Sequence, residues 1–201
     1  MSTELATYVP VDELDDLVPP APGRPFVLLV ATICAAVAAV AAYGGIIAVY
    51  LAQRGAAEGE WLPQGAIGLT TPNLMLAGFG LSLVFMHWSV QAIGNDDRRH
   101  AWLALALVLV VGAYYFTGTG WVLNQSGLTV TEPVGALVFA AVGAHVALTL
   151  AGLLYTGVMA FRTLGGQYSA KDREGLVSAT VFWWAVAITY SVLWYAIYIT
   201  K

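Results

Sequence analysis

At 201 residues the chain is long enough to bury a sizeable core, yet only 10% of its residues are charged and 59% are hydrophobic. Soluble domains carry about 25% charged residues, so a chain this poor in charge cannot cover its surface for water. The net charge of −4 leaves no electrostatic footprint for nucleic acid, and the single cysteine, Cys34, excludes a disulfide within the chain.

The first 25 residues form an acidic leader. Glu4, Asp12, Glu13, Asp15 and Asp16 alternate with Val9, Val11, Leu14, Leu17 and Val18. Pro19, Pro20, Pro22 and Pro25 then stiffen the approach to the first apolar run. Anionic lipid repels such a tail. It reads as an acidic cytoplasmic segment, either a disordered leader or a docking segment on a partner subunit through Asp12, Glu13, Asp15 and Asp16.

Five apolar runs follow, near Phe26–Leu51, Asn73–Ile93, Ala101–Leu123, Val134–Phe161 and Leu176–Thr200. Each approaches or exceeds the roughly 20 residues that cross a hydrocarbon core of about 30 Å as a helix. Strands are excluded because an open edge in lipid leaves backbone groups unpaired, and no barrel-type alternation is visible. The fold class is therefore all-α: a five-helix transmembrane bundle over residues 26–201, after the 1–25 tail. The first run is too long, and its leader too acidic, for a cleaved signal peptide.

The breaks between runs are polar. Pro63 and Pro72 interrupt the first, Gly94-Asn95-Asp96-Asp97-Arg98-Arg99 makes the second, and Pro133 closes the third. The fourth holds Lys171, Asp172, Arg173 and Glu174. Arg24, Arg98, Arg99, Arg162, Lys171 and Arg173 share one side, against Arg54 and Lys201 on the other. The positive-inside rule then puts the N-terminus in the cytoplasm and the C-terminus outside.

No Asp, Glu, Lys or Arg lies in the core of any run. That argues against an ion-coupled carrier or voltage sensor, which need a buried ionisable group. No phosphate loop, paired-cysteine metal site or nucleophile with a positioned base is present. His87 in the second run and His145 in the fourth offer one alternative, because two helical imidazoles can clamp a haem iron. They would make the chain a membrane haem-b or quinone electron-transfer anchor, although their depths match poorly. His100 falls in a polar turn. Small residues make two stripes: Ala31, Ala35, Ala38, Ala39, Ala42 and Gly45 in the first run, and Ala136, Ala140, Gly143, Ala147 and Ala151 in the fourth. They read as close-packing faces inside the bundle or towards a larger partner. Trp61, Trp88, Trp102, Trp121, Trp194 and Tyr198 sit near run ends as interface anchors, with Trp183 and Trp184 deeper.

The order of landmarks from Ala35 to Thr200 resembles subunit III of the haem–copper oxidases in its short five-helix bacterial form. Tyr43-Gly44-Gly45 through Ala48-Val49-Tyr50 is similar to the end of that family's first helix, and Trp61-Leu62-Pro63 to its Trp-Pro loop. Pro72-Asn73 opens the next helix and Gly94-Asn95 closes it at a similar distance. Gly112 with Tyr114, Tyr115 and Phe116 resembles the Gly-aromatic stretch of the third helix. Gly143-Ala144-His145 resembles a Gly-x-His start, Arg162 the arginine after that helix, and Phe182-Trp183 with Ile197-Tyr198 the last helix. The family's second histidine is Leu148 here, and its Tyr-Trp-His-Phe-Val-Asp element reads Phe182-Trp183-Trp184-Ala185-Val186-Ala187. Its two membrane glutamates correspond to about Ala38 and Val122.

The resemblance implies an accessory subunit of a respiratory cytochrome c oxidase in a bacterial inner membrane, itself non-catalytic. It implies no cofactor or metal in this chain, with haem and copper in partner subunits. The implied partners are catalytic subunit I, other respiratory subunits (a nitric oxide reductase being the alternative complex) and phospholipid. It also implies a lipid cleft between the first two spans and the other three. Asn73, His145, Arg162, Trp183 and Trp184 are the expected lipid and packing residues.

Overall fold

A computed structural model describes residues 26–63 and 65–200. The expectations for the acidic tail, with Asp12, Glu13, Asp15 and Asp16, and for Lys201 lie outside the described residues. Five helices account for the apolar runs: α1 Val27–Ala56, α2 Thr70–Gly94, α3 Arg98–Gln125, α4 Pro133–Leu164 and α5 Glu174–Leu193. A π-helical turn, Trp194–Ile199, continues α5. All five are long and apolar enough to cross a membrane. Several overrun the expected spans, α1 the most, by five residues at its C-terminal end, because polar ends such as Gln53-Arg54 and Arg98-Arg99 still propagate helix outside the hydrocarbon. Among the described residues there is no strand.

α5 is the most buried helix and α1 the least. α5 packs against α1, α2 and α4, while α3 bridges α2 and α4, and α4 also meets α1. This corrects the expected grouping of spans. α2 has its broadest contact with α3, and α1 with α5, so the first two helices do not stand apart across a cleft.

The close approaches use glycines outside the two expected stripes. Gly112 on α3 faces the Leu153 side chain, and Gly152 on α4 faces the Trp183 ring and Val186. Gly118 on α3 sits against Met75 on α2. A β-carbon at any of these would collide with or crowd its neighbour. By contrast Ala31, Ala35, Ala38, Ala42 and Gly45 are exposed, as are Ala136, Ala140, Gly143, Ala147 and Ala151. The stripes are outward faces, not internal packing faces. The inward face of α1 carries larger groups instead: Tyr43, Ile47 and Tyr50.

One end of the bundle is tied by its loops. Asp96 adopts a left-handed backbone with φ 56°, a conformation that Asp tolerates better than most residues. Its carboxylate accepts the Ala170 amide at 2.8 Å, joining the α2–α3 turn to the α4–α5 loop. The Arg98 guanidinium lies against Gly166, and that of Arg173 against Gly94. Asp97 caps α3 by accepting the His100 amide at 3.1 Å. Two hydrogen bonds from His100, the backbone one foremost, hold the Asp97 carboxyl below the usual carboxylate value.

Candidate functional site

An imidazole in the middle of a membrane bundle must have both ring nitrogens partnered or lose several kcal/mol of hydrogen bonding. His145 meets that demand at a point where all five helices converge. It is fully buried. Its Nε2–H donates to the Val186 carbonyl of α5 at 3.0 Å. A carbonyl only accepts, so Nδ1 carries the lone pair and accepts the Tyr115 hydroxyl of α3 at 2.6 Å. Around the imidazole stand Tyr43 from α1, Phe79 from α2, Tyr115 from α3 and Tyr190 from α5, with ring centroids 5.1–6.0 Å away. These separations suit edge-to-face and tilted aromatic packing. Among the described residues the buried Tyr43 hydroxyl has no partner.

A second set of polar bonds runs along the seam between α2 and α5. Trp183 is fully buried, and its indole N–H donates to Ser82 Oγ at 2.7 Å. Ser82 in turn donates to the Phe79 carbonyl at 2.7 Å. The Tyr190 hydroxyl donates at 3.0 Å to the carbonyl of Pro72, in the first turn of α2, whose oxygen has a second lone pair to accept it. On the outer surface of the same seam Trp194 donates to Asn73 Oδ1 at 2.8 Å. Trp184 donates there to His87 Nε2 at 3.0 Å. Adjacent tryptophans on one helix point about 100° apart, so Trp183 enters the core and Trp184 remains 44% exposed.

The expected site residues therefore divide. Asn73, His145, Trp183 and Trp184 belong to one connected region at the core and the α2–α5 seam. Arg162 does not. It lies at the end of α4, where Nε donates to Gln167 Oε1 at 2.8 Å and the guanidinium sits 5.1 Å from the Tyr168 ring centroid. Burial raises the Tyr168 hydroxyl above its ordinary pKa despite that cation. The two span histidines do not share a pocket. His145 packs on Phe79, eight residues and about 12 Å of helix rise from His87, and His87 faces outward. Both His145 nitrogens are already engaged, so the arrangement does not form a bis-histidine clamp. Among the described residues no group of three or more His, Cys, Asp or Glu could hold a metal ion.

Two features had no local sequence signal. Arg54, in the last turn of α1, donates to the Thr200 carbonyl at 2.8 Å and to Thr200 Oγ1 at 2.6 Å, with a longer bond to the Ala196 carbonyl. It thus caps the π-helical end of α5 from another helix. Glu174 at the start of α5 accepts the Leu29 amide of α1 at 3.0 Å, satisfying a first-turn N–H that lacks a helical partner. Both need the three-dimensional pairing of α1 with α5 to be seen.

The fold and this interior define a multi-pass membrane protein in which the buried His145, Trp183 and Tyr190 join neighbouring helices. Comparison with known proteins narrows the class. No family model matches the chain. It is 28% identical over 166 residues to cytochrome c oxidase subunit 3 of Thermostichus vulcanus, covering 78% of this chain and 79% of that protein. It is 28% identical over 142 residues to the same-named protein of Strongylocentrotus purpuratus, covering 69% and 55%, and 24% identical over 148 residues to that of Sus scrofa, covering 70% and 55%. The chain spans about half the length of most of these curated relatives. It is a divergent relative of the cytochrome c oxidase subunit III family.

Proposed function

We propose that this chain is an accessory, non-catalytic subunit of a respiratory haem–copper oxidase. It packs in the membrane beside the catalytic subunit I, which carries the haem and copper, and it carries none itself. The observation that supports this most is the similarity to a subunit 3 protein across more than three quarters of both chains. The site adds a physical reason. Its buried imidazole, its buried indole and the hydroxyls of Tyr115 and Tyr190 bond helices to one another, so they serve rigidity rather than redox chemistry or ion passage.

In this reading the bundle supports assembly and turnover stability in a bacterial inner membrane. The basic side, with Arg98, Arg99, Arg162, Lys171 and Arg173, faces the cytoplasm. Phospholipid covers the apolar outer faces of α1 and α4. The acidic tail, with Asp12, Glu13, Asp15 and Asp16, lies at the cytoplasmic face and contacts a partner subunit.

The test is purification of the tagged chain from its native membrane in mild detergent, with subunit mass spectrometry and a reduced-minus-oxidised haem spectrum. A haem–copper catalytic subunit in equal amount, with haem on that subunit, is the expected result. A chain that emerges alone and colourless contradicts the proposal. Haem retained by the isolated chain contradicts it differently, by giving the bundle a cofactor of its own.

A further inference from the structure

His87 poses a problem that the chain does not solve by itself. An indole N–H only donates, so the bond from Trp184 makes His87 Nε2 the acceptor and leaves the proton on Nδ1. Among the described residues no group accepts that N–H. The side chain is exposed on the outside of the bundle. It lies seven residues from the end of α2 at Gly94, about 10 Å along the helix axis. A ring N–H at that depth facing hydrocarbon is costly, and ionisable residues in membrane spans face other helices or water.

The surface beside it is shaped for a helix. A groove of about 260 Å³ runs along the α2–α5 seam, lined by Leu76, Gly80, Leu83, Trp184, Ile188 and Ser191 among others. Gly80 has open space beside its α-carbon. Ser191 turns its hydroxyl back to the Ala187 carbonyl at 2.9 Å and so exposes a small, satisfied surface. Small groups beside a polar one let a second helix approach closely enough for an interhelical hydrogen bond. The outward faces of α1 and α4 differ. Their small-residue stripes lie among Val, Leu, Ile and Phe and present no comparable unmet donor, so lipid suffices there.

We infer that the α2–α5 groove is the docking face for a transmembrane helix of the catalytic partner, and that this helix offers a hydrogen-bond acceptor to His87 Nδ1. The inference rests on the accessory-subunit reading and names the face that reading uses. The acceptor is a side-chain or backbone carbonyl, or a hydroxyl, near the cytoplasmic end of the partner helix. Gly80 marks where the two backbones come closest.

The test uses the full chain in its native membrane. A photoreactive benzoylphenylalanine is placed at Leu83 in the groove and, separately, at Ala38 on the outer face of α1. His87→Leu and the hydrogen-bond-retaining His87→Gln are made in parallel. The expected result is an adduct with the catalytic subunit from position 83 and lipid adducts only from position 38. His87→Leu is expected to weaken retention of the catalytic subunit in detergent by roughly three- to tenfold. His87→Gln recovers most of that loss, because an amide N–H replaces the ring donor. Catalytic-subunit adducts from position 38 with only lipid adducts from position 83 overturn the inference while leaving the accessory-subunit reading intact. Unchanged retention in His87→Leu also overturns it. If no oxidase subunit accompanies even the unaltered chain, both readings fall together.

Discussion

His145 and His87 are the same side chain in the same solvent, yet one is finished by its own chain and the other is not. His145 has a donor from α3 and an acceptor on α5, and aromatic rings from four other helices enclose it. Among the described residues His87 has a single partner, Trp184, and its side chain is exposed. The contrast separates two tasks. Polar groups closed within the bundle fix which helices are neighbours. A polar group left open marks where the bundle expects company.

Four changes break or sharpen that contrast, in falling order of effect. Trp183→Ala removes a fully buried ring packed on Gly152 and leaves Ser82 without its donor. It is expected to cost about 3–5 kcal/mol, measured by thermal or denaturant unfolding of the detergent-solubilised chain. His145→Leu leaves the Tyr115 hydroxyl and the Val186 carbonyl without the ring and is expected to cost about 1–3 kcal/mol, with haem content of the purified complex unchanged. A loss of haem in that variant would return the histidine to a cofactor role. Arg54→Gln uncaps Ala196 and Thr200. Because Arg54 is partly exposed, the cost is about 1 kcal/mol, and amide exchange over Trp194–Ile199 is expected to rise before that of the rest of α5.

The smallest effect concerns pH at the loops. Asp97's carboxyl is held below its ordinary value of 3.8 by the His100 amide and ring. Its cap is therefore fully present above that ordinary value and is lost as the pH falls through Asp97's own lower one. Exchange of the His100 amide is expected to accelerate only in that acid window, and Asp97→Asn is expected to remove the dependence.

The spans were legible because lipid imposes length and apolarity on every helix, and the breaks at Gly94-Asn95 and Pro133 are strong local signals. The inward faces were not legible. A helix that is apolar all round gives no periodic signal to say which side is buried. Ala31 and Ala136 therefore looked like packing positions and proved to be outward, while the close contacts fell to Gly112, Gly118 and Gly152. Tyr115, partner of His145, and Ser82, partner of Trp183, carry no local mark of their roles, since each is 30 or more residues from the group it bonds. The cleft expected from resemblance failed for the same reason: helix neighbours are set by contacts such as Leu29 to Glu174 and Arg54 to Thr200, not by order along the chain.

The most direct measurement sets the two histidines side by side. His145→Leu and His87→Leu are each purified, and two quantities are read from each: unfolding of the isolated chain and the amount of catalytic subunit that accompanies it from the native membrane. The account predicts opposite signatures. His145→Leu lowers the stability of the isolated chain, whereas His87→Leu costs that chain only the exposed Trp184 bond and weakens retention of the partner. Equal destabilisation of the isolated chain by both, with the partner retained by His87→Leu, would contradict the division between an inner region that the chain completes and an outer seam that another subunit completes.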